Sequence, residues 1–559
     1  MARTKQTAHG PRARRPPRAY YHGAAAPEPQ NPLIIAAAEG HYKKVKRLLL
    51  EKEGANINEA GEDGATPLYS AAYNGHVQVV RLLLKREGVQ VDKPNVDGAT
   101  PLYCAALMGH DEVVQLLLER EVDQVNKAEK GTLYTPLHAA ANKGHAQVVK
   151  LLLEKEGIEV NPGDSEGGTP LHYAAHKGQV EAVRELLKNE DIKVNQGDHH
   201  GFTPLLVAVN NGKVKVVQEL LGVDGIQQNN PNDEGTTPLH CAVKKNLVHV
   251  VMLLLEKEGT EVNKKDKYNL TALQYASMEG YAQVVMLLLE KDGIQVNQAN
   301  SDKALPIYYA AREGHFNVTY LLLAKEGIEV NERARNGGTP LIIAAHNGHD
   351  KVVKQLLEHE GIEVNKADLG YEATALYHAA HQGHDKVVKL LLEKEGIQVN
   401  ALDKDGTTPL NCAVKKGHVK VVELLLEKAG IDVGQKNLDG DSPLTWAAVQ
   451  GPARVFELLR RHKDVQEEMS ALLKTHKEDV CKVAALIKRK LTKPLKEYPH
   501  CSVCLDRVPD VVLVPCGHQN LCGQCAHKWY ERADGCPTDR IGISDILPLE
   551  EEDAPLQND

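Results

Sequence analysis

Aromatic residues are scarce in this 559-residue chain, at 4%, with 3 Phe and 2 Trp against 45 Gly. That shortage excludes a sheet sandwich or barrel built on large side chains, and the abundance of Ala, Val, Leu, Glu and Lys predicts small-residue helix packing. Long apolar runs are missing too. No stretch approaches the roughly 20 apolar residues that span a bilayer, and no apolar core follows the basic N-terminus as a secretory signal requires. We therefore expect residence in cytoplasm, nucleus or both, with no membrane contact.

Acid is absent from residues 1–20, which hold Arg3, Lys5, Arg12, Arg14, Arg15 and Arg18. With a net charge of −9 for the whole chain, the remainder carries −15. An acidic body is a poor ligand for phosphate backbones, so nucleic-acid binding is not expected of it; the arm alone has the charge for it. Cysteine is also thin outside one segment. Of 10 cysteines only Cys104, Cys241, Cys412 and Cys481 lie apart from a cluster between Cys501 and Cys536. In a reducing compartment such clustering points to metal, not disulfides. The four scattered thiols read as small apolar fillers. No phosphate-cradling glycine loop and no nucleophile–base motif is present.

What is present is a repeat. The second residue of a Thr-Pro-Leu-like tripeptide recurs at Pro32, Pro67, Pro101, Pro136, Pro170, Pro204, Pro238, Ala272, Pro306, Pro340, Ala375, Pro409 and Pro443, thirteen marks with a period near 34. Thr before Pro is a helix N-cap followed by proline at the first helical position, where its missing N–H is harmless. Small pairs such as Ala71-Ala72 and Ala344-Ala345 let a neighbouring helix approach. Eight residues past each mark stands Gly, or Asn246 once, suited to a left-handed cap. Stretches such as Val79-Val80-x-Leu82-Leu83-Leu84 make the apolar stripe of a second helix, and Gly-Ile-x-Val-Asn with Asp-x-x-Gly makes the returning turn. Each repeat is thus helix, turn, helix, loop.

These features, including Thr169-Pro170-Leu171-His172-x-Ala174-Ala175 and Gly178, closely resemble the ankyrin family over residues 32–462. Tetratricopeptide repeats share the period but place their proline at the end of the second helix and lack Thr-Pro-Leu-His. The resemblance implies a mainly α solenoid of about thirteen repeats that binds a substrate protein through its loop tips and inner helices. Tyr69, Tyr103, Tyr308 and Tyr377, with Trp446 one position on, either anchor a partner or fill half-buried packing positions, and packing is the favoured reading. His76, His110, His315 and His418 follow the cap as part of the repeat grammar; one per repeat cannot converge on an ion.

The C-terminal cluster runs Cys501-x2-Cys504, Cys516-x-His518-x3-Cys522-x2-Cys525, Cys536-x2-Asp539. Ligand pairs two residues apart can grip tetrahedral zinc from a tight knuckle, and an eleven-residue first linker leaves room to interleave two sites. This spacing resembles the RING finger. The resemblance implies two zinc ions, one held by Cys501, Cys504, Cys522 and Cys525, the other by Cys516, His518, Cys536 and Asp539. Asp539 departs from the usual cysteine, and carboxylate oxygen is an acceptable zinc ligand, so a weaker second site or a one-zinc finger stays open. The resemblance also implies that Val503, Trp529 and Pro537 contact a ubiquitin-conjugating enzyme and that Arg540 is the linchpin bridging enzyme and ubiquitin, the alternative being a solvated arginine. The activity implied is that of a RING-type ubiquitin ligase with no covalent ubiquitin intermediate; a non-catalytic ankyrin adaptor is the other expectation.

The resulting organisation is a disordered basic arm at 1–31, the ankyrin array at 32–462, a helical linker at 463–497, the RING finger at 498–542 and an acidic tail at 543–559. Linker positions Val465, Met469, Leu472, Leu473, Val480, Val483, Leu486 and Ile487 fall at helical spacing and either pack on the last repeat, the favoured reading, or pair with a second copy in a homodimer. Ile541, Ile543, Ile546 and Leu547 after the finger are candidates for RING dimerisation. Ala2-Arg3-Thr4-Lys5-Gln6-Thr7-Ala8 is identical to the start of the tail of the third core histone. That resemblance implies a histone-tail reader as partner through Ala2, Arg3 and Lys5; a basic arm, a nuclear-import patch or coincidence are the other readings.

Overall fold

The computed structural model describes residues 31–51, 56–120, 125–449 and 451–462. The linker, finger and tail, and all but the last residue of the arm, lie outside the described residues, as do every expected zinc ligand, Val503, Trp529, Pro537, Arg540 and Ala2, Arg3 and Lys5.

Among the described residues there are twenty-six helices and no strand, and the helices pair into thirteen repeats. Every first helix begins on the marked residue, from Pro32–Ala38 to Pro443–Val449. The chain forms two compact bodies, one ending at Ser301 with eight repeats and one starting at Asp302 with five.

Local chemistry accounts for each repeat. Thr66, Thr100 and Thr203 adopt extended backbone, and their hydroxyls accept the third N–H of the helix that follows. Leu305 occupies that position in one repeat and makes no side-chain cap; it is buried instead. The left-handed turn eight residues past the mark is formed in twelve repeats, at φ 80° for Gly109 and 53° for Asn246. Gly451 is the exception to the expected pattern. It precedes Pro452, whose ring pushes the preceding residue toward extended backbone. Its N–H bonds the Trp446 carbonyl oxygen at 3.2 Å.

The core is one thin layer between the two helices of each repeat and those of its neighbours. Ala71, Ala72, Ala344 and Ala345 are wholly buried where first helices meet, while Leu83, Leu117, Leu152 and Leu254 fill the space beneath the second helices. Loops are tied by side chains reaching one repeat onward. Asn263 is representative: its Nδ2 donates to the Gly293 carbonyl oxygen at 2.8 Å and its Oδ1 accepts from the Gln295 N–H at 2.9 Å. Asn126, Asn161, Asn195, Asn229, Asn331, Asn365 and Asn400 repeat the same two bonds. Lysines reach back: Lys155 Nζ donates to the Leu118 carbonyl oxygen and Lys291 Nζ to that of Leu255, satisfying the open C-terminal ends of the preceding second helices. None of the described helices is long and apolar enough to cross a membrane.

Candidate functional surfaces

The histidines that follow the cap have a mechanical role that sequence alone did not reveal. His76, His110 and His145 each donate Nε2–H to a carbonyl oxygen near the end of the preceding first helix, at Ala38, Tyr73 and Leu107, over 2.8–3.1 Å. His349, His384 and His418 do the same to Arg312, His346 and His381 in the second body. Each imidazole is thereby spent on joining repeats.

A second set sits inside the helix starts. His138 accepts the Thr135 N–H on Nδ1 and donates Nε2–H to the Gly168 carbonyl oxygen at 3.0 Å. His172 and His240 make equivalent bonds to Phe202 and Leu270. Burial disfavours the imidazolium and pulls His138 and His240 down to about 4. They are neutral structural bridges at physiological pH.

The aromatic positions divide. Tyr103 and Tyr308 are buried, while Tyr69, Tyr377 and Trp446 are half-buried. Tyr69 and Tyr308 hydroxyls accept hydrogen bonds from Asn95 and Asn336 in the loop one repeat onward. For these two tyrosines that is packing, in line with the reading favoured from sequence. Burial pushes the Cys104 thiol up to about 12 and those of Cys241 and Cys412 up to about 11, which suppresses the thiolate. All three are buried, as fillers should be.

The exposed face of the first helices in the second body concentrates polar chemistry. From Pro340–Asn347 comes His346, from Ala375–Gln382 come Tyr377, His378, His381 and Gln382, from Pro409–Lys416 come Lys415 and Lys416, and from Pro443–Val449 comes Trp446. His346 and His378 face each other through Nδ1 at 3.4 Å, His378 Nε2 lies 2.7 Å from Asp368 Oδ2, and Gln382 Nε2 lies 3.3 Å from His346 Nε2. One direction of donation satisfies all three contacts: Gln382 to His346, His346 to His378, His378 to the Asp368 carboxylate. Sequence reasoning missed this chain because its members lie on different repeats. The only signal was a concentration of histidines, His346, His378 and His381, in two consecutive first helices, and their offsets within the repeat do not say which of them meet.

Seven overlapping matches to the family model for ankyrin repeats (3 copies) run from residue 33 to residue 469. The chain belongs to the ankyrin-repeat family. Residues 497–546 match the model for a zinc finger of C3HC4 type, the RING finger. Among solved structures, the chain is similar to the one titled "Crystal structure of the ankyrin repeat domain of Bcl-3: a unique member of the IkappaB protein family", at 27% identity over 41% of this chain and 100% of that one, with a TM-score of 0.37. No curated protein matches.

This ankyrin-repeat protein therefore joins a protein-binding array to a RING finger, and a RING finger implies bound zinc. The donor set fits that metal. Six cysteines, His518 and Asp539 supply eight groups of the kinds zinc accepts, one carboxylate replacing the last cysteine of the C3HC4 pattern. The described cysteines offer no rival site: no group of three or more His, Cys, Asp or Glu side chains among the described residues is placed to hold a metal ion.

Proposed function

We propose that the protein is a RING-type ubiquitin ligase whose ankyrin array holds the substrate while the RING finger recruits a ubiquitin-charged conjugating enzyme. The observation that carries this reading is the RING match at 497–546 on the same chain as thirteen ankyrin repeats. Cys501, Cys504, Cys522 and Cys525 would hold one zinc ion, and Cys516, His518, Cys536 and Asp539 a second; zinc, when bound, supplies structural order and no redox or nucleophilic chemistry.

Within that finger Val503, Trp529 and Pro537 would pack against the conjugating enzyme, an apolar and aromatic set suited to a small interface. Arg540 would donate to both enzyme and ubiquitin through its planar guanidinium. The reaction is direct transfer. A substrate lysine amine attacks the thioester carbonyl, the isopeptide bond forms, and the conjugating enzyme's thiolate leaves. The ligase contributes orientation of the two reactants, a contribution that holding groups in reactive geometry can make large. The buried, high-pKa thiols of the array agree with a mechanism that uses no ligase nucleophile.

Asp539 favours a second reading, a non-catalytic adaptor whose weaker second zinc site leaves the enzyme-binding face unformed. Autoubiquitination by the full chain with a panel of conjugating enzymes separates the two, comparing wild type with Arg540→Ala and Cys501→Ser and measuring zinc alongside. Chains made by wild type and lost in both variants support the ligase. Two bound zinc ions without chains from any enzyme leave the adaptor. For the N-terminal arm we propose nuclear residence and capture by a histone-tail reader, on the strength of the seven-residue identity; a peptide of residues 2–12 that no such reader binds would dismiss this.

A further inference from the structure

We infer that the exposed face formed by the helices Pro340–Asn347, Ala375–Gln382, Pro409–Lys416 and Pro443–Val449 is a docking strip for an acidic segment of a partner protein. The inference rests on the array being the substrate-holding element and names the chemistry of what it holds.

The strip is continuous through side chains. His346 meets His378 across one helix pair, and the Tyr377 ring stacks on His381 with centroids 6.4 Å apart. Lys415 Nζ stands 5.4 Å over the Trp446 ring, next to the exposed Lys416. Aromatic and imidazole rings make the floor, and two ammonium groups and the Gln382 amide stand at the rim.

Among the described residues the ammonium groups of the strip have no ion-pair partner. Asp368 accepts the Gly370 and Tyr371 N–H groups besides facing His378, and Asp403 accepts the N–H groups of Asp405 and Thr407; neither carboxylate is within ion-pair distance of Lys415 or Lys416. Both carboxylates are buried. Among the described residues Lys415, Lys416 and His381 form no ion pair with any acid, whereas Arg312 further along is paired with Glu313 at 2.7 Å. Consistently, burial first and then neighbouring positive charge from Lys416 and the other imidazoles hold His381 below its ordinary value. Burial and the imidazoles of His378 and His384 do the same for His346. A carboxylate-rich ligand relieves that repulsion.

Lysine at a helix C-terminus also complements the helix dipole, which accounts for Lys415 and Lys416 alone. It does not account for His346, His378 and His381, which crowd the same face from two neighbouring helices. A polyphosphate backbone is a poorer occupant, because the strip is only four repeats long and its two lysines are too few to neutralise a run of phosphates.

Facing the imidazoles of His346 and His381 are His378, His384, His418, Lys416 and the Tyr377 ring, with the Asp368 carboxylate held against His378. An anionic ligand raises the pKa values of His346 and His381 from their depressed level, so binding takes up protons and tightens as pH falls from 7.5 to 6.

The test uses the zinc-loaded full chain and a fluorescein-labelled oligoglutamate of about 12 residues, read by anisotropy. Binding should weaken about tenfold in Lys415→Glu/Lys416→Glu, and the gain at pH 6 should vanish in His346→Gln/His381→Gln. Lys351→Glu/Lys354→Glu, an equal charge change on the second helix of the same body, should bind like wild type. Equal losses in both lysine variants, no binding at all, or oligolysine binding as well as oligoglutamate overturn the proposal. Neutralising Glu550, Glu551, Glu552 and Asp553 to amides should leave the affinity unchanged; a large gain would assign the strip to the chain's own tail instead. The readout does not involve ubiquitin transfer, so failure here and failure of the ligase reading are separate results.

Discussion

The imidazole of His145 fills the space that a side chain on Gly109 would need: a Cβ built there would lie 2.5 Å from His145 Nδ1. The absence of a side chain at Gly109 lets His145 reach the Leu107 carbonyl oxygen at 3.1 Å. The glycine is required twice, for its φ of 80° and for this approach.

Gly109→Ala should therefore destabilise the protein by about 2–4 kcal/mol, left-handed strain adding to a displaced inter-repeat bond. Gly157→Ala, with φ 78° but nothing near its Cβ, should lose only the strain, about 1–2 kcal/mol. Urea denaturation of the two variants checks the difference; equal losses would mean that the histidine contact contributes nothing.

Removing one rung of the asparagine ladder offers a second check. Asn263→Ala deletes two hydrogen bonds between adjacent loops, exposed ones, and should lower stability by about 1–2 kcal/mol. Asn263→Asp keeps the acceptor for Gln295 but puts a carboxylate against the Gly293 carbonyl oxygen, so it should recover less than half.

His138 and His240 make the array acid-sensitive. Their folded pKa of about 4 lies below the unfolded value near 6.5, so the unfolded chain binds more protons between those limits. Stability is fully present above pH 6.5 and is lost as pH falls toward 4. Gln274 already fills the same position in another repeat, accepting from Thr271 N–H and donating to the Gln298 carbonyl oxygen. His240→Gln should accordingly keep stability at pH 7 and flatten its decline between pH 6.5 and 4.5, measured by denaturation at each pH.

Ala375 starts its helix where eleven other repeats use proline, and Thr374 already has the extended backbone, φ −81° and ψ 169°, that a following proline prefers. Ala375→Pro should raise stability by about 0.5–1 kcal/mol through the unfolded state. A drop in melting temperature would show that the amide N–H or the local φ matters there.

Zinc removal should act on one part of the chain only. A chelator strong enough to strip the RING ligands should abolish ubiquitin transfer while the helical circular dichroism of the array persists, since no described residues form a metal site. Parallel loss of helix content would mean that the array depends on the finger.

Much of this protein was legible in one dimension because ankyrin architecture is local. Thr-Pro, Ala-Ala and Gly at fixed offsets encode capping, close approach and reversal within about 34 residues, so the helix starts at Pro32, Pro67 and Pro101 follow from neighbours in sequence. The RING finger at 497–546 is legible for the same reason: cysteine and histidine pairs at short spacing carry its pattern before any fold is known. Even the one broken cap, Gly451, had its cause in the next residue, Pro452.

What the tertiary structure decided is what happens between repeats. A period of 34 says that His145 recurs, but only stacking brings it to Leu107, and only stacking converts Asn263 from a turn residue into a bridge. Tyr103 is buried because the loop of the following repeat, with Tyr134, packs over it, whereas Trp446, in the last of the thirteen repeats, is half-buried. The chain from Gln382 through His346 and His378 to Asp368 draws on two repeats and has meaning only once their helices lie side by side. The sequence by itself determined the repeat and the presence of a RING finger, because both are written at short range. The stacked structure determined which histidines are staples, which are buried bridges and which face solvent, because hydrogen bonding and burial across repeats are properties of neighbours that sequence keeps some 30 residues apart.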